Sequence, residues 1–268
     1  MRAAALLLGA LAAPAFALPA NTPVPGGVAV IDLGPVGQPV PTARHGEQPL
    51  AVVRDRDRWF ALLGIPLDTL PGELEIGVFS GSTVSTRTVR VGLKNYPEQR
   101  LTIKDQRKVE PNPGDLARIA REREITDAIK RQFSDAMPDT GFALPAGGRL
   151  SSRFGLRRIF NGQPRNPHAG LDVAVGTGAP VRAPAAGIVV NTGEYFFNGR
   201  TVFIDHGQGL ITAYMHLSRV DVRSGQPVSK GEMLGAAGAS GRATGPHLHW
   251  TVILNNTPVD PELFITRP

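Results

Sequence analysis

Gly245-Pro246-His247-Leu248-His249-Trp250-Thr251-Val252-Ile253-Leu254 decides the reading of this chain. From Leu248 onward the run is β-type, and residues two apart on a strand point to one face with roughly 7 Å between their Cα atoms. His247 and His249 therefore reach into one cleft. Earlier in the chain stands a second cluster of metal-ligand type, His168-Ala169-Gly170-Leu171-Asp172. Fully extended, it would hold its ends roughly 13 Å apart, too far for two ligands that must each lie about 2 Å from one ion. The chain must bend between them, and Gly170 permits the bend. Two histidines and an aspartate are ordinary zinc donors and leave one position open for water.

Of the six histidines, only His45 lies outside the C-terminal half. A lone histidine more often has no chemical role, so His45 is read as exposed and inert. His206 closes the run Val202-Phe203-Ile204-Asp205-His206-Gly207 at a turn and is read as structural. Chance does not account for the two cluster spacings together. Periodicity alone does not say which of His247 and His249 would hold an ion.

The C-terminal half resembles the lysostaphin-type (LytM-like) zinc endopeptidases, which cut peptide bonds in peptidoglycan. The resemblance covers residues 144 to 265 and rests on Ser151-Ser152-Arg153-Phe154-Gly155, His168-Ala169-Gly170-Leu171-Asp172 and Ala183-Pro184-Ala185-Ala186-Gly187-Ile188-Val189. It continues through Tyr214-Met215-His216, Val228-Ser229-Lys230-Gly231 and Gly238-Ala239-Ser240-Gly241, and closes with Gly245-Pro246-His247-Leu248-His249 and Val259-Asp260-Pro261. The resemblance implies an antiparallel β-sheet peptidase domain over 140–268, Zn2+ held by His168, Asp172 and His249, and catalysis by His216 and His247. One departure is Thr251, which stands where the family often carries a glutamate; that residue supports a ligand and does not bind the metal itself.

The implied reaction is zinc-assisted hydrolysis of stem peptides or cross-links, with an activated water and a polarised carbonyl. No H-E-x-x-H helix occurs, so the general base is expected to be histidine. Of His216 and His247, one takes the water's proton and the other stabilises the oxyanion. His216 is the preferred base. Two other readings stay open: a non-catalytic LytM-like regulator of cell-wall amidases, and a peptidoglycan-binding module. The five intact site positions argue against the first.

Met1-Arg2, an apolar stretch from Ala3 to Pro14, and Ala15-Phe16-Ala17 read as a secretory signal peptide over 1–17, too short for a membrane span. The enzyme is expected in the periplasm, associated with the cell wall and without a stable membrane anchor. Peptidoglycan peptides are the expected partner, with protein regulators left open. The chain has no cysteine, so neither a lipid-modified cysteine nor a disulfide can form. A formal charge of +6, or +5 once Arg2 is removed, suits a polyanionic envelope, and without a basic-aromatic motif it is not a nucleic-acid signature.

Residues 23–105 have a different texture. Gly27 to Leu33, Leu50 to Arg54, Trp59 to Ile65, Leu74 to Phe79, Thr83 to Val91 and Arg100 to Ile103 are short apolar or alternating runs between turn residues. They predict a small antiparallel β-sandwich, immunoglobulin-like in shape. Over 106–138 a linker and an amphipathic helix follow, the helix running from Asp115 to near Ala136 with Leu116, Ile119, Ile125, Ile129 and Phe133 as its apolar positions. The whole chain is thus expected to be mostly β. A charged segment from Lys104 to Gly114, with the helix after it, is expected to let the N-terminal domain swing over the cleft as a partial inhibitor, with a passive spacer or a partner-docking module as the alternative readings.

Overall fold

A computed structural model describes residues 17–37 and 39–266. All but the last residue of the expected signal peptide lies outside the described residues. The described residues are mostly β, with one α-helix among them.

The alternating N-terminal runs form two antiparallel sheets. One orders Val28–Pro35, Arg58–Gly64 and Ala51–Asp55; the other orders Gln48–Pro49, Thr42–His45, Gly72–Ser80 and Thr83–Val91. Ala29, Ile31, Val52, Ala61 and Leu63 from the first meet Ala43, Ile76, Val89 and Val91 from the second in one apolar layer. The small antiparallel sandwich expected there is present; its immunoglobulin-like character stays a comparison of shape.

The first sheet is apolar on both faces. Val28, Ala51, Val53 and Leu62 point away from the sandwich and join the main core, which also holds Leu171, Tyr214, Trp250, Leu254 and Val259. Polar contacts tie the same faces together: Asn255 Oδ1 accepts from the Gly64 N–H at 3.2 Å, and Gln208 Oε1 from the Val52 N–H at 2.6 Å. The two halves are therefore packed as core against core.

The segment expected to be a hinge is also docked. Glu98–Leu101 does not belong to the N-terminal sheets; it pairs in parallel with Arg157–Phe160. Ile103 and Val109 are buried against Phe160. Swinging the N-terminal sheets away would break this ladder and expose the shared core.

The helix spans Pro113–Lys130, shorter at its end than the apolar spacing predicts. Asn112 and Asp115 form a capping box around Pro113, which sets the start. After Arg131 the backbone bonds elsewhere: the Ser134 carbonyl accepts from the Gln208 N–H at 2.8 Å. The predicted apolar stripe packs only in part. Leu116 is 54% exposed and Ile125 47%, while Ile129 is 4% exposed. Ile129, packed with Phe203, Ile211 and Ile253, and polar anchors hold the helix, with the Phe196 N–H donating to Glu122 at 2.8 Å and Arg118 donating to the Glu194 carbonyl at 2.8 Å.

The C-terminal half is built on one large antiparallel sheet. Across it run Gly187–Tyr195, Gly199–Gly207, Leu210–Val220, Leu248–Leu254, Leu171–Ala174 and Arg149–Ser152 in that order. The last strands carry the two sequence clusters side by side.

Leu62 is the natural probe of the shared core. Leu62→Ala should destabilise by about 2–5 kcal/mol, the range for truncating a buried leucine. Thermal unfolding followed by circular dichroism should show one transition moving as a whole. Two separate transitions, only one of them shifted, would contradict a common core.

Candidate metal centre

Register places the donors. Asp172 lies directly across from His249 in the pairing of Leu171–Ala174 with Leu248–Leu254, and His249 lies across from Met215 on its other side. Alternation then sends Leu248, Trp250 and Val252 into the main core and leaves His249 and Thr251 on the opposite face. His168 enters from the loop before Leu171. Its Nε2 is 3.0 Å from Asp172 Oδ1 and 3.0 Å from His249 Nδ1, and the last two atoms are 2.8 Å apart. Three donors this close can all lie about 2 Å from one ion, and two imidazoles with a carboxylate make the donor set of a catalytic zinc.

Gly170 matters here for a reason other than the bend expected of it. It does not adopt a positive φ. A Cβ added to it would fall 2.7 Å from His249 Nε2 and 2.8 Å from Thr251 Oγ1. The residue is small because the histidine and threonine of the neighbouring strand occupy the space.

Each imidazole is held by the nitrogen it turns away from the centre. A proton on His168 Nδ1 donates to the Arg153 carbonyl at 2.8 Å, leaving the Nε2 lone pair for an ion. His249 is reversed: Nε2 is 3.0 Å from the Thr251 hydroxyl, and Nδ1 faces the donors. Thr251, the departure noted in the sequence, thus makes the supporting contact itself. Burial alone would raise the Asp172 carboxyl, but the close contacts with the His168 and His249 imidazoles outweigh it and hold the group well below the usual carboxylate range. Its other oxygen accepts from Arg158 at 3.1 Å.

His216 and His247 flank the three donors, with their ring centres 4.8 Å apart. His247 Nδ1 is 2.8 Å from the Gly245 carbonyl, and its Nε2 is 3.8 Å from Asp172 Oδ1. His216 is aimed by a β-bulge: between Tyr214 and Leu217 its strand has one residue more than the partner segment from Val202 to Arg200. Its φ is +62°, a strained value for a non-glycine residue, and its Nδ1 lies 2.8 Å from the Ser240 carbonyl. Burial, together with the neighbouring His249 and His247, pushes the His216 imidazole down to about 3, so it is neutral at physiological pH.

The remaining histidines stand apart. His206 is buried between the Ala186 carbonyl at 2.7 Å and the Thr212 hydroxyl at 2.8 Å, a structural post. His45 is half-buried rather than fully exposed and sits 3.1 Å from the Glu75 carbonyl in the N-terminal sheet.

A cavity of about 400 Å³ opens over the centre, lined by His168, His216 and His249 and walled by Thr126 and Lys130 of the helix. No residue before Thr126 lines it among the described residues. Arg158 and Arg242 line it too. Sequence reading passed over both, since arginines among many basic residues carry no sign that they will be buried.

Residues 166–261 match the model of Peptidase family M23, and residues 21–94 match that of the Peptidase family M23 N-terminal domain. A crystal structure described as a peptidase M23 from Pseudomonas aeruginosa is 46% identical, covers 91% of this chain and 96% of its own, and has a TM-score of 0.79. Peptidoglycan DD-endopeptidase ShyA of Vibrio cholerae is 38% identical over 135 residues, 50% of this chain and 30% of the relative. Peptidoglycan DD-endopeptidase ShyB of the same organism is 42% identical over 153 residues, 48% of this chain and 36% of the relative. The chain thus spans about a third of the length of these two relatives. Because the likeness to the Pseudomonas peptidase runs through both halves and not through the cleft alone, the chain belongs to peptidase family M23 and is a metallopeptidase.

Proposed function

We propose that the chain is a secreted, periplasmic zinc endopeptidase that hydrolyses peptide bonds in peptidoglycan cross-links or stem peptides. The observation that carries this reading is the convergence of His168, Asp172 and His249 within 2.8–3.0 Å beneath a cleft flanked by two further histidines. The relatives named as peptidoglycan DD-endopeptidases support the substrate class. Secretion rests on the signal-like N-terminus. No described helix is long and apolar enough to cross a membrane.

Zinc held by His168, Asp172 and His249 would supply an acidified water and a Lewis acid for the scissile carbonyl. The rest of the reaction falls to side chains of the chain itself. His216, neutral and with Nδ1 committed to the Ser240 carbonyl, offers Nε2 as the base that takes the water's proton and later passes it to the leaving amine. His247, beside it, steadies the oxyanion. Chelator-sensitive release of peptides from purified sacculi, restored by zinc and read by mass spectrometry, tests the reading. Sacculi left intact by the zinc-loaded protein would sink it in favour of a non-catalytic regulator or binding module.

Replacing His168, Asp172 or His249 by alanine should abolish both stoichiometric zinc and hydrolysis, because two remaining protein ligands rarely hold a catalytic ion. His206→Ala should keep its zinc. Metal analysis of the purified variants decides, and a fully loaded, active His249→Ala would refute the ligand set.

His216→Ala and His247→Ala should stay folded and metal-loaded yet lose about a hundredfold or more in turnover, the scale for removing a general base or an oxyanion stabiliser. Normal turnover in either would remove that residue from the mechanism.

Thr251→Val keeps the shape and deletes the oxygen that holds His249 Nε2. Zinc affinity measured by competition with a chelator should fall by about 10- to 100-fold, the usual effect of losing a ligand's supporting partner. Unchanged affinity would show that strand geometry alone orients the imidazole.

A further inference from the structure

The lining of the cleft carries cationic side chains to which the mechanism gives no part. Lys130, Arg158 and Arg242 line the cavity, and no carboxylate lines it with them among the described residues. Lys130 is paired with Asp127 at 3.0 Å. Arg158 is paired with Asp172, whose charge belongs to the metal centre. Arg242 has no carboxylate partner among the described residues; its one side-chain hydrogen bond is a long one, 3.4 Å, to the Lys108 carbonyl.

Arg242 is nonetheless built in. Its guanidinium lies over the ring of Phe197 at 4.2 Å and over that of Phe160 at 4.9 Å. Its backbone N–H donates to the Phe197 carbonyl at 2.8 Å. The adjoining Gly241 has φ +74°, and a Cβ there would fall 2.3 Å from the Gly199 nitrogen, so the loop is pressed against its neighbour and Arg242 cannot drift. Burial, then the like charges of Arg158 and Arg165, push its ionisation down to about 10. A half-buried cation with aromatic packing and no carboxylate partner among the described residues, lining a cleft over a metal centre, is free to take an anion.

We propose that Arg242, backed by Arg158, is a specificity-determining residue that binds a free carboxylate of the substrate close to the scissile bond. The inference rests on the peptidoglycan-endopeptidase reading above. A planar guanidinium fixed by ring stacking suits bidentate capture of a carboxylate, which a lysine ammonium would bind as a point charge only. The class of substrate it selects is a cross-linked peptide in which the carbon bearing the scissile nitrogen carries an unblocked carboxylate. The corresponding carboxamide keeps the shape and loses the charge.

Two synthetic cross-linked peptides, identical except that this carboxyl is free in one and amidated in the other, test the proposal with the zinc-loaded full chain. The wild-type protein should prefer the free acid by about tenfold in kcat/KM, chiefly through KM, as expected for one charge-assisted contact. In Arg242→Gln the preference should fall to about one, while Arg242→Lys should keep part of it. Metal content and circular dichroism of both variants establish that the fold is intact. Wild-type protein indifferent to amidation, or Arg242→Gln losing equally on both peptides, overturns the carboxylate site and leaves the endopeptidase reading standing. Hydrolysis of neither peptide by the wild-type protein, with sacculi also untouched, sinks both.

Discussion

The contact on which the rest depends is the cross-strand pair of Asp172 and His249, closed from a loop by His168. A buried carboxylate is costly unless it is paired, and here imidazoles take one oxygen and Arg158 the other. Two imidazoles and a carboxylate brought this close make a donor set for a metal cation. Its donors sit on neighbouring strands of a large sheet, so their spacing is set by the hydrogen-bond ladder and not by flexible side chains.

Around that pair the sheet makes two local adjustments. The bulge at His216 breaks strand alternation and accepts a positive φ to turn an imidazole into the cleft. Gly170 gives up its side chain so that His249 and Thr251 can lie against the loop carrying His168. Both changes weaken regular structure locally in order to bring nitrogen donors together. The surrounding core, with Trp250, Tyr214 and Leu171 fully buried, holds the strands in place despite them.

The N-terminal half contributes by burial. Its first sheet shares the main core through Leu62 and its neighbours, while the segment after it runs along the peptidase half as an added parallel strand and a capped helix. That segment brings Lys108 and the helix to the rim of the cleft, beside Phe196 and Arg242. Among the described residues, none before Thr126 lines the cleft itself.

Much of this was legible in the sequence. The His-x-His spacing and the His168–Asp172 cluster named the residues that converge, because strand alternation is local and metal ligands must be imidazole, thiolate or carboxylate. Five of the six N-terminal runs became strands of the sandwich for the same reason, while the short strand Thr42–His45 was missed because four residues carry too little alternation. The tertiary structure alone decided what depended on distant neighbours. It placed Glu98–Leu101 beside Arg157–Phe160, ended the helix at Lys130 where its backbone found other partners, and left Leu116 and Ile125 exposed where periodicity predicted a packed stripe. It also assigned Thr251 to His249 and left Arg242 half-buried with no carboxylate partner among the described residues. Whether a charge is paired depends on strands far away in the chain, and sequence spacing carries no record of those distances.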